Sequence, residues 1–188
     1  MAIGLLAQQR IAIALPQMFC LAGMTHYRAL LEALGILYLG TRPFQMALAA
    51  DKFKAKAVVG AAGVRVPRGK LLTKGPSPIL GLPAVVKPNN SDNSDGLTLV
   101  KHHAQYQTAL ELAFLHSNTV LTETYVPPGR EARCAIVVQN GCMRHLPLEE
   151  YFVDSLTRPV RTRANKLKRD GDDNLVLAAR RSVDRRLP

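Results

Sequence analysis

The chain carries its apolar residues in short runs separated by glycine, proline and charge. Ile11 to Leu15 is an apolar run ended by Pro16, short enough to be a buried strand, although its length does not decide the matter. Thr25 is placed to cap a helix whose apolar face uses Tyr27, Leu30, Leu31 and Leu34, and Gly35 stops it in a left-handed conformation. Ile36 to Leu39 is strand-like and closes at Gly40. Thr41 then caps a second helix with Pro43 in its first turn, where a missing N–H costs nothing, and Met46 to Ala50 continues it. Asp51 to Ala62 alternates lysine with apolar residues as a strand would. Its alanine content and the stop at Gly63 predict a helix instead.

Val64 to Pro67 turns the chain, and Thr73 to Gly81 is a loop rich in Pro, Gly and Ser. Pro83 to Pro88 is a buried strand carrying one lysine. A polar loop, Asn89 to Gly96, leads to a second strand, Leu97 to Val100. His103 to His116 is a helix with Tyr106, Ala109, Leu110, Ala113 and Phe114 on one face. Thr119 to Val126 is again strand. Ala132 to Gln139 and Cys142 to Leu148 flank Asn140-Gly141, the strongest two-residue hairpin signal, with Gln139 facing Cys142 and Cys134 facing Pro147. Beyond Tyr151 the periodicity fades. The order predicts an α+β or mixed α/β chain without internal repeats.

Composition narrows the class. The chain has 188 residues, 47% hydrophobic and 21% charged, as in an ordinary globular protein, and its lack of Trp leaves the core to aliphatic residues. A net charge of +11 implies an anionic partner, nucleic acid or a phosphate-bearing small molecule. Ten Lys and Arg against four Asp fall between Arg158 and Pro188, without interleaved aromatics, which reads as a solvated basic tail and argues against a nucleic-acid surface. Cys20, Cys134 and Cys142 form no CxxC pair and no zinc spacing. An odd count without a framework suggests a reducing compartment. No signal peptide and no apolar stretch of membrane length is found, so a cytoplasmic protein is expected.

Three constellations carry chemistry. Lys87 sits inside an apolar strand, where an ammonium is costly unless it meets a charge, and Asn89 to Gly96 follows with backbone N–H groups and hydroxyls that can close over phosphates. A lysine snorkelling from a strand end beside an ordinary turn fits the same residues. Asp51-Lys52 opens a helix at the end where a lysine gains nothing from the dipole, so Lys52 is more useful facing an anion, although a surface lysine fits as well. Val120 to Val126 ends in Glu123-Thr124-Tyr125-Val126 and runs into Pro127-Pro128-Gly129-Arg130-Glu131. Such a strand and linker can read an adenine, or form an edge strand with exposed acids.

Taken together, the pieces Leu30 to Gly40, Ala47 to Lys52, Ala61 to Pro67, Pro83 to Gly96, Leu121 to Val126 and Gly129 to Glu131 resemble, in order and spacing, the ATP-grasp family and within it the D-alanine–D-alanine ligases. The resemblance covers roughly Gly23 to Leu148. It implies an α+β ATP-grasp pair of lobes: residues 1–50 as a remnant of the preceding α/β domain, 51–126 as the first lobe and 127–188 as an incomplete second lobe. It implies ATP and Mg²⁺, and a ligase joining a carboxylate to an amine, both amino-acid-like, through an acyl phosphate. A homodimer is an assembly it allows, and a truncated nucleotide-binding module is the alternative activity. By resemblance, Lys52 and Lys87 hold the phosphates, and the loop with Ser91, Asn93, Ser94 and Gly96 covers them. Glu123, Tyr125 and Val126 line the adenine, Glu131 takes the ribose, and Lys166 is a further phosphate contact. No catalytic residue or metal ligand is assigned. Asp170, Asp172 and Asp173 cluster, but in a charged turn.

Overall fold

In a computed structural model of the chain, the described residues are 4–150 apart from positions 5, 7, 19, 76, 80 and 128, together with the backbone of 151, 167–169, 175–177 and 180–183. Lys166, Asp170, Asp172 and Asp173 lie outside them. The elements in chain order are helices α1 (Leu21–Met24), α2 (His26–Ala33), α3 (Pro43–Ala50) and α4 (Lys52–Ala61), then β1 (Gly69–Leu72), β2 (Ala84–Pro88) and β3 (Thr98–Val100). A 3₁₀ turn, His103–Gln105, leads into α5 (Tyr106–Phe114), which is followed by β4 (Val120–Thr124), β5 (Glu131–Arg133), β6 (Ile136–Gln139), β7 (Cys142–His145) and β8 (Leu148–Tyr151). Short strands β9 (Leu167–Arg169), β10 (Leu175–Leu177) and β11 (Arg180–Val183) come last.

A four-stranded antiparallel sheet in the order β1-β4-β2-β3 organises the molecule. Side chains alternate across a pleat, so each strand sorts its residues between two faces. One face presents Leu72, Val86, Val100 and Val120, and α5 covers it with Tyr106, Ala109, Leu110 and Ala113 to form the core. That face explains why α5 is helical with apolar residues at its own 3.6 period. The other face carries Gly69, Val85, Lys87, Leu121 and Glu123, because Gly69 and Val85 both stand opposite Glu123, and Lys87 opposite Leu121. The strand lysine therefore lies on the face that α5 does not cover.

Beyond this sheet, β5, β8 and β11 form a three-stranded sheet, β6 pairs β7, and β9 pairs β10. The β6–β7 hairpin turns at Asn140 (φ 52°) and Gly141 (φ 75°), the left-handed pair that a two-residue turn of this kind requires, and Gln139 faces Cys142 as expected.

Several expectations need correction. The helix after Thr25 forms, and Gly35 ends it at φ 67°, but Tyr27 is exposed and the buried residue of α2 is Arg28. Arg28 Nη1 donates to Thr41 O at 3.0 Å and its guanidinium lies over the Tyr38 ring, so a cation held by a carbonyl and an aromatic face fills a place expected to be apolar. The cap of α3 is Arg42, not Thr41, because Pro43 already occupies the first helical position. Ile11 to Leu15 and Ile36 to Leu39 meet only at the parallel bridge Ala14–Tyr38. The run expected as one strand from Ala132 to Gln139 is broken at Cys134-Ala135, since β5 pairs β8 while β6 pairs β7. Strand β1 was not expected at all.

Candidate functional site

The site grows from the start of α4. Asp51 is its N-cap: Oδ1 accepts from Lys54 N at 3.0 Å, which satisfies an orphan donor of the first turn. The same Oδ1 accepts from Asn89 Nδ2 at 3.0 Å, and Asn89 Oδ1 accepts from Phe53 N at 2.9 Å. Asn89 is 1% exposed, and its backbone carbonyl accepts from Lys52 N at 3.2 Å. The end of β2 is thus bonded, through one buried amide side chain, to the beginning of α4.

A helix places residues i and i+4 on one side, so Lys52 and Lys56 face the same way while Lys54 points out to Asp51 and solvent. Lys52 Nζ donates to the carbonyls of Asn89, at 3.3 Å, and of Ser91. Lys56 Nζ meets Glu123 Oε2 at 2.9 Å, and Lys87 Nζ donates to Glu123 Oε1. One carboxylate therefore stands between two ammonium groups, with a third close by. Burial lowers the Lys52 ammonium below its ordinary pKa and the charge of Lys87 lowers it further; Asp92, Asp51 and Glu123 act against this. Burial pushes the Glu123 carboxyl up, but its bonds from Lys87 and Lys56 outweigh that and hold it below the usual range. Lys52 meets carbonyls and no carboxylate, and an anion reaching it would relieve its repulsion with Lys87.

The loop after β2 begins at this point. Asn93 (φ 58°), Ser94 (φ 65°) and Gly96 (φ 70°) are all left-handed, which folds Asp92 to Leu97 into consecutive turns. Asp92 accepts from the backbone of Asn93 and Asp95. Gly96 lies against α5, and a Cβ there would fall 2.7 Å from the His116 ring and 2.9 Å from Pro88. Beside Lys52, a cavity of about 490 Å³ opens between Met24 and Met46 on one side and Ser91, Asp92 and His116 on the other.

The structure brings Lys52, Lys87, Glu123 and the Asn89–Gly96 loop together. Ser91 meets Lys52 through its carbonyl, its hydroxyl being bonded to Asp92 O. The Glu123 carboxylate is taken up by two lysines. Tyr125 and Val126 continue from the end of β4, where Tyr125 N bonds Pro83 O and Val126 is 63% exposed. Glu131 opens β5, opposite Tyr151. Asp51, Lys56 and Asn89 were not singled out as site residues. The signal for Lys56 was its i, i+4 spacing from Lys52; for Asn89 it was the polar residue following a buried strand.

Among the described residues, no three His, Cys, Asp or Glu groups gather as a metal site. Glu150 accepts from Arg130 Nε at 2.7 Å and Nη2 at 3.1 Å, and Glu149 meets Arg133 Nη2 at 2.6 Å. The described carboxylates do not offer the free oxygen cluster that Mg²⁺ requires.

The model of the family described as D-ala D-ala ligase C-terminus matches residues 70–159, which take in β2, the loop, β4 and the hairpin. The chain is related to the D-alanine–D-alanine ligases and shares their ATP-grasp fold. It is 33% identical to the D-alanine–D-alanine ligase of Geobacter sulfurreducens over 132 residues, 66% of this chain and 42% of that protein. Against the ligase of Halalkalibacterium halodurans the identity is 35% over 129 residues, again 42% of that protein. The chain thus spans less than half the length of these relatives. Among solved structures, the D-alanyl-alanine synthetase A of Vibrio cholerae matches with a TM-score of 0.70 at 26% identity, covering 78% of this chain and 47% of that one. The ligase of Bacillus anthracis shares the fold at a TM-score of 0.71 and 22% identity, covering all of this chain and 58% of that one. No helix of this ATP-grasp protein, among the described residues, is long and apolar enough to cross a membrane.

Proposed function

We propose that the chain binds ATP on the sheet face that carries Lys87 and Glu123. The observation that carries this reading is the meeting of Lys56 and Lys87 on the Glu123 carboxylate, with Lys52 held at the carbonyls of Asn89 and Ser91 in a loop of left-handed turns beside them. Lys52 and Lys87 hold the phosphates, and Ser91, Asn93, Ser94 and Gly96 close over them. Tyr125 and Val126, with the backbone near Glu123, line the adenine; Glu131 accepts from the ribose hydroxyls. Relatives supply a precedent, since a solved Bacillus anthracis D-alanine–D-alanine ligase of the same fold was obtained with ATP. The division into residues 1–50, 51–126 and 127–188 belongs to the same proposal.

The activity proposed for the whole protein is ATP-dependent ligation of an amino-acid-like carboxylate to an amine. The γ-phosphoryl group passes to a carboxylate oxygen, ADP leaves, and the amine displaces phosphate from the acyl carbon. The part of this chain's own residues is to bind and to neutralise: ammonium groups placed at the phosphates stabilise the charge that moves during transfer. Mg²⁺ belongs to that chemistry in ligases of this kind, but the described residues do not fit it, and no step is assigned through it.

A second reading rests on the pairing of Glu149 and Glu150 with Arg133 and Arg130, which occupies the acids of β8, the strand beside Glu131's own. It is a nucleotide-binding module that does not turn over. ADP release in excess Mg²⁺, with D-alanine and a panel of other amino acids, separates the two. Turnover at about 1 s⁻¹ or faster, within the range of ordinary enzymes, supports the ligase. ATP binding without turnover supports the module.

A further inference from the structure

Lys56 is given no contact with the nucleotide, yet it is held firmly in the cluster. Its side chain is 15% exposed and Glu123's is 11% exposed, and they meet at 2.9 Å across 67 residues of sequence. Gly69 stands directly opposite Glu123 on β1, and a Cβ there would lie 2.6 Å from Lys56 Nζ and 3.0 Å from Glu123 Cβ. The sheet thus leaves a side chain out at the point where Lys56 passes. Lys87, on β2, takes the other oxygen of the same carboxylate.

We infer that Lys56 is a positioning residue that frees Lys87 for an anionic ligand by keeping Glu123 paired. The inference rests on the nucleotide reading above. When Lys87 turns from Glu123 to a phosphate, a buried carboxylate loses a partner. Without a second cation that loss is costly, and Lys87 is held back. With Lys56 in place the carboxylate stays compensated and Lys87 can leave. Lys56 therefore raises nucleotide affinity without touching the nucleotide. The charged groups facing Glu123 are Lys56 from α4 and Lys87 from β2, with Lys52 within their field. In a chain lacking Lys56, Glu123 loses part of what lowers its carboxyl, and protonating it becomes another way to release Lys87.

The test uses the full chain, with ATP as probe, and compares Lys56→Met, Lys56→Arg, Glu123→Gln and the Lys56→Met/Glu123→Gln pair. Lys56→Met is expected to weaken ATP binding about tenfold or more, and Lys56→Arg far less. The same Lys56→Met change in the Glu123→Gln background is expected to cost little, since no carboxylate remains to be compensated. The deficit of Lys56→Met relative to wild type should shrink as pH is lowered, because its less depressed carboxyl protonates before that of wild type. A side chain that only supports the fold would produce neither the rescue nor the pH dependence. Wild-type binding with an unchanged Lys56→Met affinity overturns the inference, as does a loss that Glu123→Gln fails to relieve. Wild type that does not bind ATP overturns the nucleotide reading itself. The Glu123 carboxyl pKa, followed by ¹³C NMR without ATP, still decides the ion-pair part: it should rise in Lys56→Met, and an unchanged value overturns it.

Discussion

Asn89 donates its side-chain amide to Asp51, Nδ2 to Oδ1 at 3.0 Å, joining residues 38 apart in sequence at the start of the candidate site. Asp51 is spent on capping α4, and Asn89 also accepts from Phe53 N. Neither side chain is free to serve a ligand, yet together they set where Lys52 begins.

Asn89→Ala should therefore act on stability first. It empties a buried position and leaves Phe53 N–H and part of Asp51 without partners. A loss of about 2–4 kcal/mol is expected, read as a lower urea midpoint with an unchanged slope. A shift near zero would mean that water or a neighbour replaces the amide.

Acid should weaken the fold through two carboxylates. Burial pushes Asp51 up, but the Lys54 N–H, the Asn89 amide and the Lys54 ammonium bring it below its ordinary value; Glu123 is brought down likewise by Lys87 and Lys56. Both folded values lie under the unfolded ones. The stability they contribute is present above the unfolded value, about 4, and is lost as pH falls through the folded values. Stability should be nearly level between about pH 7 and 5 and decline below about 4. In Glu123→Gln the decline should be shallower, even where that variant is less stable at neutral pH. Equal slopes would contradict the assignment.

Gly69→Ala should destabilise although Gly69 has no left-handed backbone to protect. Its Cβ would fall 2.9 Å from Thr122 O as well as on the Lys56 ammonium, so the strand or the ion pair must shift. A cost of about 1–3 kcal/mol is expected, as for other overpacked sites, measured by thermal or urea unfolding. A variant as stable as wild type would show that β1 moves away easily.

Much of the fold was legible because local pattern and tertiary environment agree. The strand Ala84–Pro88 and the α5 face of Tyr106, Ala109, Leu110 and Ala113 are buried where the pattern expects them. The Asn140-Gly141 turn carries its own conformational signature. Strand β1 was not legible, because Arg68-Gly69-Lys70 breaks any alternation and only Leu72 is fully buried. Arg28 was missed for a different reason: its partners, Thr41 O and the Tyr38 ring, come from a later segment. The site divides in the same way. The isolated lysine of β2 and the polar loop stand out from their surroundings, and Lys52 stands out by its place at a helix start, to which the resemblance to a family adds weight. The i, i+4 spacing puts Lys56 on the same side as Lys52, but its pairing with Glu123 was not legible, since nothing within α4 points to a strand 67 residues away.

In the proposed complex, Lys87 faces a bound nucleotide phosphate. That contact is tested most directly by titrating ATP into wild type and Lys87→Ala by calorimetry, at one pH and ionic strength, with unfolding curves to show that both are folded. Loss of a charge-assisted contact to phosphate is worth about 1.5–3 kcal/mol, so binding should weaken about tenfold or more while unfolding stays cooperative. Equal affinities in the two proteins would contradict the account and remove Lys87 from the site.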